Sequence, residues 1–155
     1  MKNLLYIIGI AVVMSACGSE QKQESHGHGN EGGDPRTKEL LAVHDSIMPA
    51  MSTIMDLKAR ISKDIKTTDS LLAKKSDAAL KTRHTEAEGL LKSLEDADKS
   101  MMDWMHQYKH DTISKLDDAA ASAYIADQKG RIDAVRDQMK KSIETAKAFT
   151  EKSAQ

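Results

Sequence analysis

Residues 80–108 read LKTRHTEAEGLLKSLEDADKSMMDWMHQY. Leu80, His84, Ala87, Leu91, Leu94, Asp98, Met101, Met105 and Tyr108 recur within this stretch at alternating steps of four and three residues. At 3.6 residues per turn such steps lay side chains along one stripe of an α-helix, whereas a strand shows every second residue to the same face. The segment therefore predicts a long amphipathic helix with a coiled-coil-like seam. His84 and Asp98 are polar residues on that seam, where they can fix register at a cost in stability.

The same spacing extends in both directions. Upstream, Leu40, His44, Ile47, Met51, Ile54, Lys58, Ile61 and Ile65 form a first seam, with Lys58 its one misfit. Asp34 followed by Pro35 suits an N-cap with proline at the first helical position. Pro49 falls inside the pattern, lacks the N–H that the Asp45 carbonyl needs, and predicts a kink or locally broken turn. The end of this helix is open between two readings: a new helix begins at Asp69 and Ser70, or the first continues to a turn around Ser76. Downstream, a third helix is expected from about Leu116, along Ala121, Ile125, Gln128, Ile132, Val135, Met139, Ser142, Ala146 and Phe149. Gly130 costs that helix about 1 kcal/mol against alanine without breaking its stripe.

No stretch sustains period-two alternation rich in β-branched residues. The expected fold is all-α: an elongated antiparallel three-helix bundle spanning residues 35–155, with short connections between neighbours. Its seams are narrow and in places alanine-rich, so a partner helix or a second copy could complete a fourth side.

Ahead of the bundle, Lys2 precedes an apolar run from Leu4 to Val13, and Ser15 and Ala16 stand just before Cys17. A membrane-spanning helix needs about 20 apolar residues, and here the polar Gly18, Ser19 and Glu20 follow almost at once. Met14, Ser15, Ala16 and Cys17 resemble the lipobox of bacterial lipoproteins, with Met14 where that pattern usually has leucine. The resemblance implies a signal peptide over residues 1–16, cleavage before Cys17, and acylation of that cysteine. At about 0.8 kcal/mol per buried methylene, two chains already give stable attachment. Cys17 is the one cysteine of the chain, so no intramolecular disulfide can form. Residues 17–34 are rich in Gly, Ser, Gln and Glu and poor in aliphatics, the composition of a flexible tether. Its His26 and His28 form a two-histidine pair with no further ligand nearby in sequence, so a solvated spacer is the simpler reading.

The formal charge of −1 and the interspersed acidic and basic residues give no basic patch for nucleic acid. One Trp, one Phe and three Tyr offer no repeated platform for stacking bases. A phosphate-binding glycine loop, a nucleophile elbow and a His-Glu-x-x-His motif are all missing, so the sequence argues against an enzyme.

Six of the seven methionines beyond the leader fall in two groups: Met48, Met51 and Met55, then Met101, Met102 and Met105. His44 lies one turn before the first group, and His106 adjoins the second. With a turn near Ser76, Met51 would face Met101, Met48 would face the turn from Met102 to Met105, and His44 would face Tyr108. Thioethers and imidazole together suit a soft monovalent ion, copper(I) above all. Asp45, Asp98 and Asp103 are near enough in sequence to orient a histidine. Methionine at heptad spacing is also ordinary, adaptable core filler, and a methionine-lined groove can accept an apolar ligand or helix. Trp104, one residue off the seam, could pack onto the third helix or anchor a partner.

Two segments, Val43, His44, Asp45, Met48, Pro49, Met51, Met55 and Leu57, and Asp96, Ala97, Asp98, Met101, Met102, Asp103, Trp104 and Met105, resemble a family of small Bacteroidota lipoproteins that carry the name viral A-type inclusion protein. That name reflects long-helix similarity, so the resemblance implies an envelope location and a helical fold and carries over no catalytic residue. The expectation is a non-enzymatic, membrane-tethered interaction module of the bacterial envelope, facing the periplasm or the surface and most simply held at the outer membrane. Its partners would be the membrane, through Cys17, and an envelope protein or a second copy. The alternative is a copper(I)-binding lipoprotein using His44, Met48, Met51, Met55, Met101, Met102, Met105 and His106.

Overall fold

The computed structural model describes residues 34–152. The leader, Cys17 and the tether with His26 and His28 lie outside these residues. The described chain forms α1 (Thr37–Ile47), α2 (Ala50–Leu72), α3 (Ala78–Gln107), the single turn α4 (His110–Ile113) and α5 (Asp118–Lys152), and contains no strand.

Carboxylates stand at the starts of the three arms. Asp34 Oδ1 accepts from Arg36 N at 2.9 Å and Thr37 N reaches Asp34 O at 2.9 Å, forming a turn that leads into α1; the helix begins at Thr37 with Arg36 at its N-cap, so Asp34 and Pro35 precede it rather than cap and open it. Asp77 sits in extended backbone and accepts from Ala79 N and Leu80 N at 2.8 and 3.0 Å, opening α3. Asp117 accepts from Ala120 N at 2.8 Å and opens α5. The third helix thus begins at Asp118, two residues later than its periodicity suggests, and leaves Leu116 exposed before the cap.

The break at Pro49 has the expected origin. Met48 and Pro49 keep right-handed helical backbone, with φ of −54° and −59°. Met48 N still reaches His44 O at 3.0 Å, but the next amide is missing, and Met51 N bonds Met48 O at 3.1 Å in a tighter turn. The chain then continues as α2 to Leu72, and the reversal occupies residues 73–77, which settles the turn near Ser76 rather than Asp69.

Contacts that cross between helices give the topology. Lys58 meets Asp98 and Asp69 meets His84, so α2 and α3 run antiparallel. Ser93 meets Ser142, and Gln107 meets Arg131, so α3 and α5 do likewise. Arg36 of the first turn reaches Ser122, and Lys129 reaches Glu39, which lays α1 along the start of α5. The product is an antiparallel three-helix bundle whose first arm, α1 with α2, is broken at Pro49. Its 35-residue α5 runs the length of the bundle, about 50 Å at 1.5 Å per residue.

One core joins the three arms. Leu40, Ile54, Ile61, Leu94, Met101, Ile132 and Met139 are fully or almost fully buried, each stabilising by about 1.5–3 kcal/mol relative to exposure. Ala87 and Ala97 are fully buried where α3 meets its neighbours. Among residues 118–152, the nine buried positions are the nine seam residues from Ala121 to Phe149. A smaller cluster of Ile113, Ala121 and Ile125 docks α4 on the start of α5. This extra turn was not expected, because four residues are too few to show a helical period.

Several polar seam positions find partners across the bundle. Lys58 Nζ bonds Asp98 Oδ2 at 2.9 Å, so the misfits of two separate seams meet. His84 Nε2 lies 2.8 Å from Asp69 and its Nδ1 3.4 Å from Glu88. Ser93 and Ser142 share a bond of 2.8 Å. At the hairpin end, Arg83 bonds Asp64 at 2.7 Å and lies 4.4 Å from the Phe149 ring centre.

Candidate functional site

The Lys58–Asp98 bond joins α2 to α3 beside the methionines, as Asp64–Arg83 and Asp69–His84 do nearer the hairpin. Backwards along α2 from Lys58, steps of three, four and three residues reach Met55, Met51 and Met48. Forwards along α3 from Asp98, steps of four and three reach Met102 and Met105. Such steps keep side chains on one helical stripe, and because the helices are antiparallel both walks lead towards the same end. Met48, Met51 and Met55 therefore lie at the same end of the α2–α3 pair as Met102 and Met105.

Burial divides the six methionines. Met101 is fully buried and belongs to the core. Met48, Met51 and Met105 are half-buried and pack against that core from outside. Met55 and Met102 are 55% and 40% exposed, and stand among the few large apolar side chains that the described surface shows to water. Met101 lies on the core side of α3.

His44 lies four residues before Met48, on the other side of the Pro49 break. Its side chain is 15% exposed, and Nδ1 lies 2.9 Å from Asp45 Oδ1. In the tautomer that donates from Nδ1 to that carboxylate, Nε2 carries the lone pair that a ligand would use. The other two carboxylates are engaged elsewhere: Asp98 with Lys58, and Asp103 with Lys99. His106 adjoins Met105 but is exposed and off the row, and its carbonyl accepts from Lys109 Nζ at 2.8 Å.

Behind His44 lies an aromatic stack that the seam pattern did not reveal. Trp104 is buried, with its ring centre 5.4 Å from His44 and 5.3 Å from Tyr108, nearly parallel to the latter. Tyr108 in turn lies 6.4 Å from Tyr124, whose hydroxyl accepts from Lys109 N at 2.9 Å and ties the end of α3 to α5. Trp104 thus packs into the end of the bundle through His44 and Tyr108. Its four-residue spacing from Tyr108 was the available signal. Burial, reinforced by Tyr124 and Asp34, raises the pKa of the Tyr108 phenol above its ordinary value.

Among the described residues, no three His, Cys, Asp or Glu side chains group as metal ligands. The chemically distinctive surface is instead the sulfur-bearing row beside His44. No described helix is long and apolar enough to cross a membrane. No protein family, curated protein or solved structure matches the chain.

Proposed function

We propose that this chain is a lipoprotein of the bacterial envelope, anchored by acylated Cys17, whose three-helix bundle acts outside the cytoplasm as a non-enzymatic binding module. The observation that carries the reading is the order of parts along the chain. An apolar run ends in Ser15, Ala16 and Cys17, a polar stretch without aliphatic clusters follows, and α1 opens at Thr37 into a bundle with its own core. A leader of that length is removed rather than left as a span, and acyl chains on the cysteine would replace it as the membrane attachment.

The binding role rests on where the bundle spends apolar side chains. Most of its outer face is charged, as the surface of a helical bundle should be, yet Met55 and Met102 stand in water beside half-buried Met51 and Met105. Packing explains Met101 and Met139, which are buried. It does not explain thioethers at positions where lysine or glutamate would serve the helix equally well. The partners proposed are the membrane through Cys17 and a ligand at this face; an envelope protein or a second copy of the chain is the macromolecular alternative for the same surface.

The anchor is tested by expressing the full chain in a bacterium fed labelled palmitate, beside Cys17→Ala. Label and membrane association in the native chain, both lost in Cys17→Ala, support the reading. A native chain that takes up no label and fractionates with soluble proteins overturns it.

A further inference from the structure

The geometry points to a copper(I) site on the outer row of the first arm and α3, formed by the thioethers of Met48, Met51, Met55, Met102 and Met105 with the imidazole of His44. This names the ligand of the binding module proposed above and rests on that reading for its setting in the envelope, but not for its chemistry.

Three observations converge on these atoms. The α2–α3 ion pairs set the two helices antiparallel, so Met48, Met51 and Met55 lie at the same end as Met102 and Met105, with thioethers from both helices within about two turns of one another. Burial grades from the half-buried Met51 and Met105 to the exposed Met55 and Met102, so the row is open to an incoming ion while its inner members are held by the core. His44, four residues before Met48, has its Nδ1 against Asp45 at 2.9 Å, the arrangement by which a carboxylate orients a ligating imidazole.

The ligand set selects the metal. Thioether is a soft, uncharged donor, so it suits a soft monovalent ion and gives little to calcium, magnesium or manganese, which require oxygen. Zinc favours thiolate, imidazole and carboxylate, and no such group of three is assembled among the described residues. Methionine's unbranched side chain has three rotatable bonds, so sulfurs on neighbouring turns can close on an ion without moving the helices. Met101 is excluded because it is fully buried in the core, and His106 because it lies off the row.

The test is an anaerobic titration of the full chain, purified in detergent, with copper(I) against a chromophoric copper(I) chelator. A variant with Met48, Met51, Met55, Met102 and Met105 all changed to leucine is titrated beside it, as is a control with Met101→Leu and Met139→Leu; circular dichroism checks that each remains helical. One copper(I) per native chain is expected, weakened by at least ~100-fold in the five-leucine variant and unchanged in the control, with a loss of ~10-fold in Asp45→Asn. Copper X-ray absorption should show mainly sulfur neighbours.

Equal binding by the five-leucine variant would overturn the proposal, and so would a native chain that takes up no stoichiometric copper(I). Cys17→Ala, run in parallel, separates the two readings. Copper(I) binding that survives in this variant supports the thioether site, whereas binding lost with Cys17 would assign the ion to a free thiol and sink it. Failure of palmitate labelling would sink the anchor alone.

Discussion

Lys58 Nζ and Asp98 Oδ2 meet at 2.9 Å across the α2–α3 interface, with side chains only 22% and 24% exposed. Each is a polar residue on a largely apolar seam, and together they form the α2–α3 ion pair that lies nearest the methionines. Removing one partner leaves the other half-buried without its bond, which costs about 1–2 kcal/mol. Replacing both by apolar side chains removes the desolvation cost as well. Urea unfolding should therefore show Lys58→Met and Asp98→Leu each destabilising by ~1–2 kcal/mol, and the double variant losing clearly less than their combined effect. Strict additivity would show that the pair is not coupled.

The six clustered methionines should separate sharply by stability. Met101 is fully buried, so Met101→Ala leaves a cavity and should cost ~2–5 kcal/mol. Met55 is more than half exposed, and Met55→Ala should stay within ~0.5 kcal/mol. Denaturant midpoints at constant slope would measure both. A large loss at Met55 would mean that this side chain belongs to the core and that its exposure says nothing about binding.

Much of the fold was legible from side-chain spacing because the three arms bury regular stripes. The third seam, from Ala121 to Phe149, reappears residue for residue as the buried face of α5. Pro49 marked its own break, since the missing amide is a local property of the chain. The hairpin turn could not be decided locally: Asp69 and Ser70 are plausible helix-start residues, and only the Asp77 cap bonds and the partners of Lys58 and His84 select the later reversal. Lys58 and Asp98 looked like separate misfits because their pairing depends on inter-helix register. The stack of His44, Trp104, Tyr108 and Tyr124 draws on three helices and the end of α3, so no single periodicity could show it. Of the candidate ligands, the rows of Met48, Met51 and Met55 and of Met102 and Met105 were visible in sequence; the burial of Met101 and the position of His106 needed the packed bundle.

Two glycines inside helices offer a gain in stability. A Cβ built at Gly89 or Gly130 meets no atom within 4 Å, so alanine fits both sites without displacing a neighbour. Alanine also narrows the unfolded ensemble and is the better helix former, by about 0.5–1 kcal/mol at each position. Gly89→Ala and Gly130→Ala should each raise stability by that amount, and their effects should add because they lie on different helices. Thermal unfolding of the two single variants and the double variant measures this, and a loss in either would reveal a constraint on the backbone there.

Asp34 provides a pH-dependent test of the turn that leads into α1. The Arg36 guanidinium bonds its carboxylate from two nitrogens and the Arg36 amide donates at 2.9 Å, which lowers the Asp34 pKa to about 2. A folded-state value below the ordinary carboxylate value near 3.8 means that the ionised form is favoured by folding. Its contribution is therefore fully present above about pH 4 and is lost as pH falls through about 2. An NMR titration of the side-chain carboxyl should give a midpoint near 2, returning towards the ordinary value in Arg36→Ala, where the side-chain bonds are gone and the backbone bond remains. An unshifted midpoint in the native chain would mean that the Asp34–Arg36 bridge does not persist in solution, and that α1 begins without this clamp.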